Sequence, residues 1–258
     1  MTFNLDLSGR TALITGSGQG VGHGLARSFA AAGAEVLVND LRPERADEVV
    51  AEIRAAGGKA RTAAFDVTDY AGVATAIADA GPVDILINNA GNAGPQGFGT
   101  RARFAESDPG QWEPFLRVNL YGVLNCTRAA LPGMEERRWG RVITIVSDAG
   151  RAGDAYGAAY GVSKAGAAGL TRSIALESGR YGVTANNISL GTMRTPVTEP
   201  LWAEPDSPQA KAILAAYAIR RPGTADDVAA LALVLSGDQG SWITGQTIPV
   251  NGGYSFAL

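Results

Sequence analysis

Short apolar runs rich in β-branched residues alternate with longer helical stretches along almost the whole chain. Strands that are separated by helices pair in parallel, with helices packed on both faces of the sheet. Two of the runs, Val83–Ile87 and Arg141–Val146, are nearly continuous in apolar residues, as in strands buried on both sides. The alternation predicts an α/β protein with one Rossmann-type, doubly wound parallel sheet of about seven strands.

The predicted elements run from residue 11 to residue 251. The predicted strands are Thr11–Thr15, Glu35–Asn39, Arg61–Phe65, Val83–Ile87, Arg141–Val146, Val183–Ile188 and Thr247–Asn251. The predicted helices are Val21–Ala32, Pro43–Ala56, Asp69–Asp79, Gln111–Arg138 with breaks at Pro114 and Pro132, Ala155–Arg180, Pro208–Ala218 and Thr224–Ser236. Because no linker or repeat interrupts this series, we predict a single domain over 1–258. Prolines crowd the irregular stretch Thr195–Pro208, and we predict that 195–218 covers the substrate.

The chain has one histidine, His23, and one cysteine, Cys126, among 258 residues. A Ser-His-Asp hydrolase would need His23 as its base, and a catalytic zinc site takes two or three His or Cys ligands. We therefore predict no metal, and no disulfide can form within one chain. His23 is predicted to be a packing or surface residue, and Cys126 a buried small apolar one.

Charge and hydropathy restrict the partners. A net charge of −3 and a pI near 5.3 argue against nucleic acid, which usually leaves a basic footprint on its binding protein. No apolar run reaches the length of a membrane span. The stretch Met1–Ser8 has no basic region, so it is not read as a secretory signal, and we expect a cytoplasmic protein.

A glycine-rich turn, TGSGQGVG at Thr15–Gly22, joins the first predicted strand to the first helix. Glycines let the backbone approach a pyrophosphate closely, and the N-terminus of the following helix favours negative charge. The spacing is T-G-x-x-x-G-x-G rather than G-x-G-x-x-G. The turn predicts a dinucleotide site, with a ligand-free strand-to-helix turn as the alternative.

Asp40 ends the second predicted strand, about twenty residues beyond the glycine turn, where a carboxylate can accept hydrogen bonds from a ribose. It would repel a 2′-phosphate, and Gln19 offers no positive charge to bind one. Arg42 is a counter-argument, although it reads more simply as a solvated residue of the next helix. We therefore predict NAD rather than NADP.

Tyr160 and Lys164 lie four residues apart on a predicted helix and so share one face. An ammonium beside a phenol favours the phenolate and lowers the tyrosine pKa, which gives an acid/base for neutral pH. Ser147 follows the strand Arg141–Val146, at the end where open α/β sheets bind ligands. The alternatives are an ordinary surface pair and a plain turn serine.

These motifs occur together in one order: the glycine turn, Asn88–Gly91 (NNAG), Asn119, Ser147, the Tyr160–Lys164 pair and Leu190–Thr195. The ordered set resembles the short-chain dehydrogenase/reductase family, in its subgroup of about 250 residues. The resemblance covers nearly the whole chain, through Arg221–Gly223 to Ile243–Gln246.

The resemblance implies the roles of four catalytic residues. Tyr160 would be the acid/base, Lys164 would lower its pKa and hold the nicotinamide ribose, and Ser147 would orient the substrate oxygen. Asn119 would maintain a water relay behind the lysine, unless it is a helix asparagine that bonds its own backbone.

The resemblance also implies the cofactor contacts. These are Gly16, Gln19, Gly20, Val21, Gly22, Asp40, Asp66, Val67, Asn89, Ala90, Gly91, Tyr160, Lys164, Met193 and Thr195. The alternative for Asp66 is a helix cap. The family usually has Pro-Gly after the sixth strand, whereas this chain has Leu190-Gly191, so we expect a less rigid turn there.

The family resemblance implies an NAD(H)-dependent enzyme that interconverts a secondary alcohol and a ketone. A silent NAD-binding sensor and an epimerase or dehydratase of nucleotide sugars are the alternatives from other classes. The stretch Ser147–Gly153 resembles relatives that oxidise alicyclic hydroxy-acyl thioesters, such as 2-hydroxycyclohexanecarboxyl-CoA dehydrogenases, and a 3-oxoacyl thioester reductase is the second candidate. Arg151 is either a contact for a charged group or a solvated loop arginine, and we favour the latter.

Two expectations concern surfaces. Leu201 and Trp202 in the covering stretch predict an apolar substrate face. The family usually forms dimers or tetramers, so we expect a homo-oligomer, and the largely apolar Ala165–Ile174 suits an interface.

Overall fold

The fold is one parallel sheet of seven strands, seen in a computed structural model that describes residues 5–92 and 101–256. The first four residues of Met1–Ser8 lie outside the described residues. The strand order is β3-β2-β1-β4-β5-β6-β7, and every pairing between neighbours is parallel. The strands are β1 Thr11–Ile14, β2 Glu35–Val38, β3 Lys59–Thr62, β4 Ile85–Asn88, β5 Gly140–Ser147, β6 Val183–Leu190 and β7 Thr247–Val250. The prediction of a doubly wound sheet of about seven strands is confirmed.

Helices cover both faces of this sheet. They are α1 Gly20–Ala31, α2 Pro43–Ala55, α3 Tyr70–Ala80, α4 Glu113–Leu116, α5 Gly122–Glu136, α6 Ala158–Ser178, α7 Glu199–Trp202, α8 Pro208–Ala215 and α9 Ala225–Ser236. Chain order reverses in the sheet between β1 and β4, which opens a crevice at the carboxyl ends of the strands. The glycine turn follows β1, the NNAG segment begins at the last residue of β4, and Ser147 ends β5, all at this edge.

Two apolar cores, one on each face, hold the layers together. Alternate residues of one strand point to opposite faces, so Ile14 joins one core and Leu13 the other. The first core takes Phe29 of α1 and Val228 of α9, and the second takes Met134 of α5. Within the described residues, no helix is long and apolar enough to cross a membrane.

Several predicted boundaries were wrong, most clearly those of the third strand and of the helix that carries Tyr160. The third strand is Lys59–Thr62 rather than Arg61–Phe65, because Asn39 Nδ2 donates to the carbonyls of Ala63 and Phe65 and draws them off the ladder. The helix predicted over Ala155–Arg180 begins at Ala158 and ends at Ser178, where a 3₁₀ turn follows.

The predicted break at Pro132 was also wrong, since this proline lies inside α5. Proline leaves the carbonyl four residues earlier, on Arg128, without a helical donor. Both residues are exposed, so water can satisfy that carbonyl and the helix continues to Glu136.

Candidate active site

Two asparagines from neighbouring strand ends hold the glycine turn in place. Asn39 Oδ1 accepts a hydrogen bond from Gly16 N at 3.2 Å, and Asn89 Nδ2 donates to the carbonyls of Thr15 and Gly16 at 2.9 and 3.0 Å. The Thr15 hydroxyl accepts from the backbone N–H groups of Asn89 and Ala90, each at 3.0 Å. The turn and the NNAG segment therefore form one rigid unit.

Close approaches explain why the turn is rich in glycine. A Cβ on Gly16, which has a φ of 61°, would lie 2.8 Å from Ala90 Cα, and one on Gly22 would collide with Asn89 Nδ2. A Cβ on Gly20 would have ordinary contact with Thr195, 3.6 Å away. Thr195 from the far end of the predicted site is thus brought beside the turn. Gln19 is the exposed residue before α1, and Val21 is half-buried against the first core.

The acidic partner lies against Gly18, a glycine that the sequence motif left unassigned. A Cβ on Gly18 would come within 2.6 Å of Asp40 Oδ2 and 2.7 Å of Arg45 Cβ. Asp40 is 7% exposed, and its Oδ1 accepts from Arg42 N at 3.0 Å. Sequence reasoning missed Arg45, because only the fold shows that the first turn of α2 returns to the glycine turn.

Asp66 and Val67, two of the predicted cofactor contacts, follow the end of β3 by four and five residues. Val67 is buried, and its carbonyl accepts from Asn125 Nδ2 at 2.9 Å. Asp66 is exposed, and its carboxylate accepts from Thr68 N at 2.8 Å. The reading of Asp66 as a helix cap is wrong, because Asp69 caps α3 through Ala71 N.

The four predicted catalytic residues converge where β5 ends. Ser147 is the last residue of β5, and its side chain lies close enough to that of Tyr160, in the first turn of α6, to act on the phenol. The ring of Phe115 packs edge-on against the Tyr160 ring at 6.1 Å between centroids. Ser147 Oγ also accepts from Ala149 N at 3.2 Å.

Lys164 is buried, so the reading of an ordinary surface pair is wrong. Its Nζ donates to the carbonyl of Ile145 at 2.9 Å and lies 6.0 Å from the centroid of the Tyr160 ring. Burial disfavours the ammonium and lowers the pKa of Lys164 to about 8.

The tyrosine pKa moves in the direction opposite to the one predicted from the lysine. Burial raises the pKa of Tyr160, the hydrogen bond from Ser147 opposes that rise, and the charge of Asp154 adds to it. Lys164 does not offset burial, because its own pKa of about 8 leaves it neutral in the range where the phenol titrates.

Asn119 lies in a π-helical turn, Arg117–Tyr121, between α4 and α5. Its Nδ2 donates to the carbonyl of Asn92 at 2.9 Å, so the reading of a helix asparagine bonded to its own backbone is wrong. Its Oδ1 is buried and has no hydrogen-bond partner among the described residues. A Cβ on Gly91 would lie 3.2 Å from both this oxygen and Lys164 Nζ, so the three groups face one another.

Tyr217, which sequence reasoning missed, holds the turn after β6. Its hydroxyl accepts from Thr192 N and donates to Thr192 Oγ1, each at 2.8 Å, and its ring lies against Gly191. The expectation of a less rigid turn at Leu190-Gly191 stays a prediction, although a side chain from the segment 195–218 holds this turn. Met193 beyond the turn is buried, and its carbonyl accepts from Thr198 Oγ1 at 2.6 Å.

Arg151 is not the solvated loop residue that we favoured. It donates to Asp148 Oδ1 at 3.0 Å, to Ser255 Oγ at 3.3 Å and to the carbonyl of Phe256 at 3.0 Å. Asp148 is itself buried and accepts from Ser189 Oγ at 2.7 Å. The pair joins the loop after Ser147 to the segment that follows β7.

His23 and Cys126 lie apart from this chemistry, as predicted. His23 Nε2 is 2.6 Å from a Glu52 carboxylate oxygen at the surface. Cys126 is buried, and burial raises the pKa of its thiol to about 12. In the described part of the chain, no three His, Cys, Asp or Glu side chains cluster closely enough to hold a metal ion.

The residues present fit a dinucleotide. The glycine turn leaves open backbone at the N-terminus of α1, and Asp40 offers a carboxylate beside it. Asn119 Oδ1 is a buried acceptor with no partner among the described residues, at the other end of the crevice near Lys164. Fold and site together define an oxidoreductase of the dinucleotide-binding α/β class.

Known proteins agree with this class. A family model described as Enoyl-(Acyl carrier protein) reductase matches residues 16–255. The (2S)-[(R)-hydroxy(phenyl)methyl]succinyl-CoA dehydrogenase subunit BbsD of Thauera aromatica is 35% identical over 97% of this chain and 98% of its own. The 7alpha-hydroxysteroid dehydrogenase of Escherichia coli K12 is 34% identical over 97% and 96%.

A solved structure agrees as well. The gluconate 5-dehydrogenase of Burkholderia cenocepacia, in complex with NADP and tartrate, superposes with a TM-score of 0.90 at 33% identity, over 99% of this chain and 98% of its own. The chain belongs to the short-chain dehydrogenase/reductase family. The predicted resemblance is confirmed, and so is the prediction of an oxidoreductase of this family.

Proposed function

We propose that this protein oxidises a secondary alcohol, or reduces the matching ketone, with NAD(H) as its cofactor. The observation that carries the proposal is the meeting of the Ser147 and Tyr160 side chains at the crevice, with Lys164 buried one helical turn behind. An NAD-binding protein without catalytic activity would not need these three polar side chains together, because Tyr160 and Lys164 lose hydration there.

Each side chain has one task in this scheme. Tyr160 Oη gives a proton to the ketone oxygen or takes one from the alcohol, and Ser147 Oγ orients that oxygen. Lys164 holds the nicotinamide ribose, and Asn119 Oδ1 accepts a hydrogen bond from a water behind the lysine. Gly16, Gln19, Gly20, Val21, Gly22, Asp66, Val67, Asn89, Ala90, Gly91, Met193 and Thr195 hold the rest of the dinucleotide. NAD⁺ supplies the hydride acceptor and a positively charged ring when it is bound.

We propose NAD rather than NADP because Asp40 lies beside Gly18, where the adenosine ribose would lie. A carboxylate there binds a ribose diol and repels a phosphate. Arg42 and Arg45 stand nearby, and the gluconate 5-dehydrogenase structure holds NADP, so the choice depends on the carboxylate.

The proposed substrate is apolar, alicyclic or an acyl thioester, and the segment 195–218 covers it. Trp202 in this segment is buried, and Leu201 beside it is half-buried. Two relatives carry names of a hydroxyacyl-CoA dehydrogenase and a steroid dehydrogenase. A 3-oxoacyl thioester reductase is the second candidate, supported by the description of the matching family model.

We also propose a single domain over 1–258 that works in the cytoplasm as a homodimer or homotetramer, with no nucleic-acid or membrane partner. The outer face of α6, with Val162, Ala165 and Leu176 exposed, is the proposed contact between copies.

The test uses cyclohexanols, steroid alcohols, 3-hydroxyacyl-CoA and acetoacetyl-CoA, each with NAD(H) and with NADP(H). We expect Tyr160→Phe to abolish turnover of every active compound while NADH still binds, because only the proton-transferring hydroxyl is lost. The matched control, Tyr156→Phe, removes an exposed hydroxyl from the preceding loop and should leave turnover unchanged. Turnover near that of the wild type in Tyr160→Phe would contradict the assignment.

A further inference from the structure

An ion pair beside the catalytic residues holds the loop that leads into α6. Arg101 donates through both terminal nitrogens to the Asp154 carboxylate, at 3.0 and 2.6 Å, and also to the carbonyl of Ala155 at 2.8 Å. A forked guanidinium–carboxylate pair is both directional and strong for a charge pair. Arg101 therefore fixes the backbone of this loop and offsets the negative charge of Asp154.

Asp154 lies against the start of the helix that carries Tyr160. Its carbonyl accepts from Gly157 N at 3.0 Å, and a Cβ on Gly157 would come within 2.5 Å of its Oδ2. Gly157 precedes α6, and Tyr160 is the third residue of that helix. Between Asp154 and Gly157, Tyr156 has a φ of 68°, which costs energy for a residue other than glycine, so the contacts of Arg101 stabilise a strained turn.

Charges at this point act on the phenol. The N-terminus of a helix favours negative charge, so the first turn of α6 favours a phenolate. The Asp154 carboxylate acts against it, and its charge raises the pKa of Tyr160. Arg101 opposes Asp154 directly.

The other ionisable groups near Tyr160 come from its own helix and from the loop. Lys164 lies on α6, and the loop holds the Asp148–Arg151 pair, whose charges offset each other. The neighbours from β5 and α4, Ser147 and Phe115, carry no charge. Arg101 and Asp154 are thus the groups whose balance a single substitution can tip in either direction.

We propose that Arg101 and Asp154 form a positioning pair for Tyr160, in which the guanidinium holds and neutralises the carboxylate at the first turn of α6 and so sets the ease of proton transfer at Tyr160 Oη. This inference rests on the proposed role of Tyr160 as the acid/base. It adds two residues that act through the tyrosine and need not touch the substrate.

The test compares two variants that remove opposite charges, Asp154→Asn and Arg101→Gln. Tyrosinate absorbance is titrated in each chain and in its Tyr160→Phe counterpart, and the difference between the two isolates Tyr160. The ordinary effect of a unit charge at the edge of a site is about half a pH unit. We expect the titration to move down by about that much in Asp154→Asn and up by a similar amount in Arg101→Gln.

The opposite signs separate electrostatics from damage to the loop, because a disordered loop would move both variants in one direction. In the double variant the titration midpoint of Tyr160 should return close to that of the wild type. Arg101→Lys keeps the positive charge, so its midpoint should also stay close to that of the wild type. The pH dependence of kcat/KM for the most active alcohol should shift in the same two directions. Shifts of one sign in both variants, or no shift in either, would overturn the inference, whereas turnover by Tyr160→Phe would overturn only the proposed function.

Discussion

Replacing Asp40 with serine tests the choice of cofactor most directly. The Asp40 carboxylate is buried beside Gly18, at the point where the adenosine ribose of a bound dinucleotide would lie. Serine keeps a small polar side chain there and removes the charge. We expect the preference between NADH and NADPH to reverse.

The expected change in cofactor preference is the sum of a weaker binding of NADH and a stronger binding of NADPH. A hydrogen bond from a ribose hydroxyl to a carboxylate contributes about 1.5–3 kcal/mol, so its loss weakens NADH binding roughly 10- to 150-fold. A carboxylate and a phosphate charge about 4 Å apart repel by about 4 kcal/mol at an effective dielectric constant of about 20. Removing even a third of that repulsion would strengthen NADPH binding about tenfold. Arg42 and Arg45 are also close enough to bind the phosphate.

The assay is the dissociation constant of NADH and of NADPH, measured by cofactor fluorescence at several salt concentrations. Salt screens charge repulsion, so the wild-type penalty against NADPH should shrink as salt rises, whereas the serine variant should show no such gain. Asp47→Ser is the matched control, because it removes an exposed carboxylate from α2 and gives the same change in net charge. Unchanged NADH affinity in Asp40→Ser, or the same effect in Asp47→Ser, would refute the reasoning.

Three further outcomes are expected. Lys164 has a pKa of about 8 in the folded chain against an ordinary 10.5, so between these values the unfolded chain binds more protons and the stability of the wild type rises with pH. Lys164→Met should therefore be more stable than the wild type below pH 8, by up to about 3 kcal/mol, and should lose that advantage by pH 10.5. An equal difference in urea unfolding between the two proteins at pH 7 and at pH 10 would contradict this. Leu176→Asp should reduce the size of the assembly in gel filtration with light scattering, because this side chain is 87% exposed on the proposed contact face. The control Leu41→Asp should leave that size unchanged, and a monomeric wild type would refute the proposed oligomer. Cys126, buried and with a thiol pKa near 12, should react with thiol reagents only after unfolding, and rapid labelling of the folded chain would contradict its burial.

The fold could be predicted from sequence because burial leaves a local pattern. The runs around Leu86 and Ile143 are nearly continuous in apolar residues, since both faces of those strands meet helices. The edge strand β3 has only one buried residue among four, Ala60, so the pattern there fixed neither end. Its true boundary depends on the side chain of Asn39, which directly follows β2.

The candidate site could be predicted in part for the same reason. Tyr160 and Lys164 are related by one helical turn, and the motif order brings Ser147 to them. Tyr217 and Arg101 carry no such local signal, because each acts on a backbone segment more than 20 residues away, and only the fold brings them together.

Sequence spacing also gave the wrong direction for the Tyr160 pKa, and the reason bears on the chemistry. Proximity of Lys164 predicts a stabilised phenolate, but burial acts on both groups and favours the neutral form of each. A neutral, half-buried phenol beside Ser147 is ready to give a proton, which is the ketone-reducing direction. Alcohol oxidation requires additional positive charge at the phenol, and for that reason the charge balance between Arg101 and Asp154 should matter more in oxidation than in reduction.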